Sequence, residues 1–175
     1  TTGAIVLATP TATLSGEVAD IVAAFAGSVT TNTGAVTISD ANTTDITATD
    51  ITTIDNAISG AITVSNAIDI NGSGSEVKAA FDAIDTNTGN ATANITGTDY
   101  TVAQLKAINN ATTGAIVLAT PTANLSGDVA DIVAAFAGTV TTNTGTITIS
   151  DANTCLLYTS PSPRDQRGSR MASSG

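Results

Sequence analysis

A 43-residue block occurs twice in this chain, and this repeat constrains the fold more than any other feature of the sequence. Residues 1–43 return at residues 112–154, an offset of 111. Five positions differ between the copies: Thr13/Asn124, Glu17/Asp128, Ser28/Thr139, Ala35/Thr146 and Val36/Ile147. Repeat proteins grow by stacking similar units rather than by enlarging one core, so chain length is no guide here to the number of domains.

Shorter units are visible inside the 111-residue super-repeat. Each opens with a glycine, and the openings lie at Gly3, Gly34, Gly60, Gly89, Gly114 and Gly145. The intervals between these glycines are unequal, and Gly114 is the copy of Gly3, so four units make one super-repeat. Apolar residues mostly occupy the second and fourth positions after the glycine, which predicts a strand with one apolar face. Further short strands are predicted around residues 12–14, 67–70 and 93–95.

A helix-period segment follows each strand. The first has Val18, Ile21, Val22 and Phe25 at positions i, i+3, i+4 and i+7, and Gly27 is expected to end the helix in the left-handed conformation. Thr101 and Gln104 have the spacing of a capping box for the fourth helix. The other expected N-caps are Ser15, Thr49, Ser75 and Ser126.

One strand and one short helix cannot bury their apolar faces alone, so neighbouring units must stack. The sequence therefore predicts an α/β protein: a β/α solenoid over residues 1–154, with successive strands in one parallel sheet and the helices as an outer wall. This region is expected to be incomplete at both ends. A helix-poor β-solenoid is the alternative. The Asn-Thr-Gly segments ending at Gly34, Gly89 and Gly145 are expected to be tight turns in which glycine has positive φ.

The repeat region is strongly acidic, with 14 acidic residues against only Lys78 and Lys106 in residues 1–154. Nucleic acid and anionic lipid attract clustered lysine and arginine, so neither is an expected partner. No apolar run is long enough to insert into a membrane within this segment. The repeats also lack histidine and cysteine, and their acids are dispersed, so we expect no enzyme.

Calcium is the one metal that the composition favours, because aspartates in turns supply the oxygen ligands that it prefers. The candidate ligands are Asp40, Asp45, Asp69, Asp99 and Asp151. The nonapeptide of calcium-binding β-rolls and the EF-hand loop are both missing. No other cofactor is expected. A binding module for calcium or carbohydrate is therefore the alternative to a purely structural role.

The repeat stops in mid-unit at Cys155, where Cys-Leu-Leu-Tyr-Thr-Ser-Pro-Ser-Pro-Arg-Asp begins. This stretch resembles a translated sequencing-library adapter, which implies that residues 155–175 are an artefact and form a disordered tail. A natural Pro/Ser/Arg-rich tail is the alternative. In either case we do not interpret Cys155 as a nucleophile or a disulfide partner.

Residues 101–114, Thr-Val-Ala-Gln-Leu-Lys-Ala-Ile-Asn-Asn-Ala-Thr-Thr-Gly, precede the block Leu-Ser-Gly-x-Val-Ala-Asp-Ile-Val-Ala-Ala-Phe. The pattern resembles the Thr/Ala/Gly-rich repeat arrays of giant secreted or cell-surface proteins of marine cyanobacteria. The resemblance implies an extracellular or cell-surface location and a structural or adhesive role. The implied partners are neighbouring repeats of the same chain and a cell-surface glycan or protein.

Overall fold

The computed structural model describes residues 3–151, which form an α/β fold with five helices and ten strands in this range. The helices are α1 (Val18–Phe25), α2 (Ala48–Ala57), α3 (Gly74–Ala83), α4 (Val102–Ala111) and α5 (Val129–Ala135). The strands are β1 (Leu14–Gly16), β2 (Val36–Ile38), β3 (Asp45–Thr47), β4 (Ile62–Val64), β5 (Asp69–Gly72), β6 (Thr86–Asn87), β7 (Thr92–Ile95), β8 (Ile116–Leu118), β9 (Leu125–Gly127) and β10 (Ile147–Ile149). The α/β class with parallel sheets is confirmed. The interpretation of residues 155–175 as an artefact lies outside the described residues.

All strand pairs in the described chain are parallel, and they form three sheets with the orders β1-β2-β4-β6, β3-β5-β7-β8 and β10-β9. Leu14 pairs with Val36 and Val36 pairs with Ile62, so the chain returns to the same sheet at each of these residues. The other strand pairs have similar register offsets. We call each such return a turn of the chain.

The prediction of a single parallel sheet was wrong. The strands after Gly34 and Gly60 lie in the first sheet, whereas those after Gly89 and Gly114 lie in the second. A turn contains fewer residues than most of the intervals between the glycine-led openings. Successive openings therefore do not lie directly above one another and come to lie in different sheets. The second sheet also contains β3, which the sequence reading did not predict.

The helices form where the apolar period indicated, but several of their caps differ from the prediction. The capping box of Thr101 and Gln104 is confirmed, and Gly27 has a φ of +140° just beyond α1. The N-cap of α2 is Thr47 rather than Thr49, and that of α3 is Ser73 rather than Ser75. Ser73 forms a capping box with Glu76. This box was not predicted from the sequence, because the N-cap was expected at Ser75.

The helices α1 and α5 begin at positions where no local side chain caps them. Their N-caps are Glu17 and Asp128, neither of which makes a side-chain cap hydrogen bond, and Ser15 and Ser126 lie on the preceding strands β1 and β9. The predicted caps were therefore wrong, because the strand extends closer to the helix than the sequence suggested.

The glycines of the Asn-Thr-Gly segments are needed for close packing between turns, and the predicted positive φ was wrong. In the described chain, positive φ occurs at Gly27, Gly138, Thr43 and Asn90. A Cβ atom built at Gly34 would overlap the carbonyl oxygen of Ala12 in the preceding turn. Gly89 and Gly145 meet the backbone of their preceding turns in the same way. Glycine allows the backbones to approach each other there.

The core is a column of aliphatic side chains that runs through successive turns. The apolar faces of α2 and α4 are buried, as the helical spacing of their apolar residues predicted. They include Ile51, Ile54, Leu105 and Ile108. Each helix packs against the next one along the chain. Within residues 3–151, no helix has the length and apolar character needed to cross a bilayer.

Candidate functional site

The outward face of the sheet β3-β5-β7-β8 carries two rows of mostly polar side chains. Side chains alternate across a strand, so the inward row is buried while the outward row reaches solvent. The outward row consists of Thr47, Asn71, Asn94 and Val117, which are register partners on successive strands. Asp45, Asp69 and Thr92 form a second row beside it.

Two of the predicted calcium ligands meet on this face. Asp45 and Asp69 are direct partners on β3 and β5, and neighbouring strands lie about 4.8 Å apart. Asn71 links them, because its Nδ2 donates to Oδ1 of Asp45 at 3.1 Å and to the main-chain oxygen of Asp69 at 3.0 Å. This arrangement offers two carboxylates beside one amide that is already hydrogen-bonded.

The remaining three candidates lie at the starts of helices. Oδ2 of Asp40 accepts a hydrogen bond of 2.8 Å from the backbone N–H of Val18, and Oδ2 of Asp151 accepts one of 3.1 Å from Val129. Oδ1 of Asp99 accepts from the N–H of Gly74 at 3.4 Å. Each carboxylate therefore caps a helix that began one turn earlier, where the helix dipole favours negative charge.

The five aspartates consequently do not form one cluster. Among residues 3–151, no group of three or more His, Cys, Asp or Glu side chains could hold a metal ion. Calcium takes six to eight oxygen ligands, and a pair of carboxylates supplies only some of them. The calcium site stays a prediction, and Asp45 with Asp69 is the pair that carries it.

The outward face of the other large sheet carries hydroxyl groups in register. Ser15, Thr37, Thr63 and Thr86 are successive partners on β1, β2, β4 and β6. The sequence reading missed the complete row because it did not predict β6. The available signal was threonine at alternating positions, which by itself does not fix the register of a strand.

Two lysines balance little of the negative charge. Lys78 forms an ion pair with Asp82 on α3, and Lys106 on α4 pairs with Asp131 on α5 at 2.5 Å. The backbone N–H and the hydroxyl of Ser73 both donate to the carboxylate of Glu76. These bonds, chiefly the one from the backbone, hold the pKa of Glu76 below the ordinary value of 4.5. The surface of the described region is therefore anionic at neutral pH.

An apolar cavity opens at the N-terminal end of the stack, where sequence reasoning expected no site. It measures about 400 Å³ and is lined by Ile5, Leu7, Leu14, Phe25 and Asn32, together with Thr9, Ala12, Ala24 and Val29. Asn32 is fully buried. The cavity is at the outer side of β1, whose pairing partner in the described chain is β2.

Comparison of the chain with protein-family models, with curated proteins and with solved structures finds no match in any of the three.

Proposed function

We propose that this chain is a structural or adhesive repeat segment of a large extracellular surface protein, built as a β/α solenoid and without catalytic activity. The main support is the behaviour of the two copies of the repeated block. Ile5 at the outer edge is 47% exposed, whereas its copy Ile116 is 1% exposed beneath the preceding turn. Identical residues thus depend on a neighbouring turn for their burial, which is the physical basis of a stack that can be extended.

The solenoid proposal is tested by adding units. Chains with one or two further copies of residues 41–151 after residue 151 are expected to lengthen by about 20 Å per copy, since each turn adds about 4.8 Å. Their cross-section should stay constant, and their stability should rise with each copy because more interfaces form. Small-angle scattering and denaturant unfolding measure both quantities. A length that grows only as the cube root of mass, with unchanged stability, contradicts the proposal.

The adhesive role is separate from the spacer role, and glycan binding distinguishes them. A spacer segment should leave every glycan of an array unbound, whereas an adhesive segment should bind a defined subset through an exposed sheet face. The matched variants are Asn71→Ala with Asn94→Ala on the outward row and Thr37→Ala with Thr63→Ala on the other sheet. Loss of binding in one pair but not in the other locates the adhesive face.

A calcium- or carbohydrate-binding solenoid module is the second candidate, favoured by the adjacent carboxylates of Asp45 and Asp69. Calorimetric titration of the full chain with calcium should then show saturable heat that Asp45→Asn with Asp69→Asn removes. Asp20→Asn with Asp55→Asn removes the same charge elsewhere and should leave the heat unchanged. Equal loss in both variants indicates diffuse attraction to the acidic surface, and no heat in the original chain excludes the site.

A further inference from the structure

Tyr100 fills a socket in the second copy of the repeated block. Its side chain is 2% exposed, and its hydroxyl donates a 2.7 Å hydrogen bond to Oδ1 of Asn143. The phenol oxygen of Tyr100 also accepts a hydrogen bond of 3.4 Å from the backbone N–H of Ala123. The carbonyl oxygen of Thr120 is a more distant acceptor at 3.4 Å. The phenol group is thus bound through both its donor and its acceptor capacity.

The same socket exists in the first copy without a phenol in it. Thr9, Ala12 and Asn32 are the positions of the first copy equivalent to Thr120, Ala123 and Asn143, and all three line the N-terminal cavity. Nδ2 of Asn32 donates to the carbonyl oxygen of Gly34 at 2.9 Å, just as Nδ2 of Asn143 donates to Gly145. The two amides are therefore oriented alike relative to their own turns.

The orphaned atom of the first copy is the one that binds Tyr100 in the second. Asn32 is 0% exposed, and its Oδ1 has no hydrogen-bond partner within residues 3–151. Buried polar atoms in folded proteins are nearly always satisfied, and leaving one unsatisfied is unfavourable. The vacant acceptor of Asn32 defines a position for a hydroxyl donor. The N–H of Ala12 donates in this copy to the carbonyl oxygen of Thr9 at 3.2 Å.

The apolar walls of the cavity lead to the same conclusion. In the second copy, Ile116, Leu118 and Leu125 are all buried, whereas Ile5, Leu7 and Leu14 at the equivalent positions are exposed or half-buried. A cavity of about 150 Å³ is enough for a benzene ring. The volume of about 400 Å³ at the N-terminal face therefore accommodates an aromatic ring and part of the chain that carries it.

We infer that the N-terminal face is a receptor for a tyrosine side chain, presented by a turn of the Gly97–Ala111 sequence from another copy of the repeat. The phenol ring packs on Ile5, Leu7 and Leu14, and its hydroxyl donates to Oδ1 of Asn32. The N–H of Ala12 then exchanges its bond to the carbonyl oxygen of Thr9 for one to the phenol oxygen. The second copy identifies the occupant, because there Tyr100 of this same turn forms hydrogen bonds with the equivalent residues Thr120, Ala123 and Asn143. The inference rests on the proposed stacking of units and adds the side chain that determines which unit fits.

The socket is tested first with a small phenol on the full chain. p-Cresol should bind with one site per chain and shift the NMR signals of the Ala12 amide and the Asn32 side chain. Toluene, which lacks the hydroxyl, should bind about fivefold to tenfold more weakly, as expected for the loss of one hydrogen bond. Ala12→Phe places a ring in the cavity and should abolish binding, whereas Ala41→Phe, an exposed alanine outside the cavity, should not.

The second test supplies the occupant. In a chain extended before Thr1 by a copy of residues 45–111, the added tyrosine equivalent to Tyr100 should fill the socket and abolish p-cresol binding. The amide of Ala12 should then exchange as slowly as that of Ala123. Alanine in place of the added tyrosine should restore p-cresol binding, which separates a filled socket from a distorted one.

Three results overturn the inference. Absence of p-cresol binding removes the socket, and equal affinity for p-cresol and toluene removes the role of Asn32. Concentration-dependent self-association of the original chain that Ala12→Phe abolishes would make a second copy of the chain, docked end to end, the occupant. The lengthening of chains with added copies is measured independently, so failure of the socket is distinguishable from failure of the solenoid proposal.

Discussion

The two copies of the repeated block have nearly the same sequence and opposite patterns of burial. In the N-terminal copy, Val18 is buried and Ile5 is exposed, whereas in the C-terminal copy Val129 is exposed and Ile116 is buried. The N-terminal copy has a turn packed on its C-terminal side, and the C-terminal copy has one packed on its N-terminal side. The same residue is thus a core residue or a surface residue according to its neighbour.

This difference separates local from non-local determinants of structure. Ile5, the counterpart of Ile116 on β8, forms only an isolated bridge. The helix and the other two strands of the block form in both copies, so these elements follow from the sequence of the block itself. Burial does not, because it depends on residues a full turn away along the chain. Matched substitutions in the two copies therefore measure the contribution of stacking directly, with the local sequence held constant.

The largest contrast is expected for Ile38 and its copy Ile149, which are 1% and 61% exposed. Ile38→Ala should lower the free energy of unfolding by about 2–5 kcal/mol, because it leaves a cavity in the core. Ile149→Ala should change it by less than about 0.5 kcal/mol, as for other exposed positions. Equilibrium denaturation measures both values. Similar losses in the two variants would show that burial by neighbouring turns is not what stabilises the stack.

Gly114 and its copy Gly3 give the next contrast. A Cβ atom at Gly114 would overlap the carbonyl oxygens of Asn90 and Ala91, whereas a Cβ at Gly3 meets nothing within 4 Å. Gly114→Ala should destabilise the chain by about 1–3 kcal/mol, the usual effect of overpacking. Gly3→Ala serves as the control and should be close to neutral. If Gly114→Ala is equally neutral, the turns are not in close backbone contact.

A smaller effect is expected for Asp40 and Asp151, which cap helices across one turn. Asp40 is largely buried and binds the N–H of Val18, whereas Asp151 is exposed and makes the longer bond. Asp40→Ala should cost about 0.5–2 kcal/mol, the range for loss of an N-cap. Asp151→Ala should lower the free energy of unfolding by only a small fraction of that amount. Circular dichroism during thermal unfolding compares the two, and a larger loss for Asp151 would contradict the assigned roles.

The smallest effect concerns pH and the two capping boxes. The pKa of Glu76 is lowered by the donors of Ser73, so the stabilisation is complete above its ordinary pKa of 4.5 and is lost as the pH falls through the lower folded-state pKa. The protection factors of the first-turn amides of α3, which correct for the slower intrinsic exchange in acid, should therefore fall at acidic pH. The box of Thr101 and Gln104 in α4 cannot titrate and is the internal control. Glu76→Gln should remove the pH dependence, and its persistence would contradict the assignment.

The sequence predicted the elements well because strand and helix periods are local signals. The buried stripes Ile51/Ile54 and Leu105/Ile108 and the capping box of Thr101 required no knowledge of neighbours. The assignment of strands to sheets failed because it took the spacing of glycines as the length of a turn. The glycines mark close contacts between turns, and their spacing varies independently of the register.

The functional residues were harder to predict, because their partners are distant in sequence. Three of the five aspartates proposed for calcium cap helices that lie one turn away, and no local pattern indicates such a bond. Tyr100 and Asn143 are 43 residues apart. The repeat itself held the missing information, because comparison of equivalent positions shows which contact each copy makes or lacks.

The short rise and long contour of each turn have a mechanical consequence. A single turn advances the stack by only about 4.8 Å, yet the same stretch of chain pulled straight spans roughly 75 Å at about 3.3 Å per residue. Tension applied to the two ends would therefore peel turns from the outside, each releasing more than ten times its folded length. We expect a segment of this kind to lengthen in steps under a sudden pull and to refold when the load is removed.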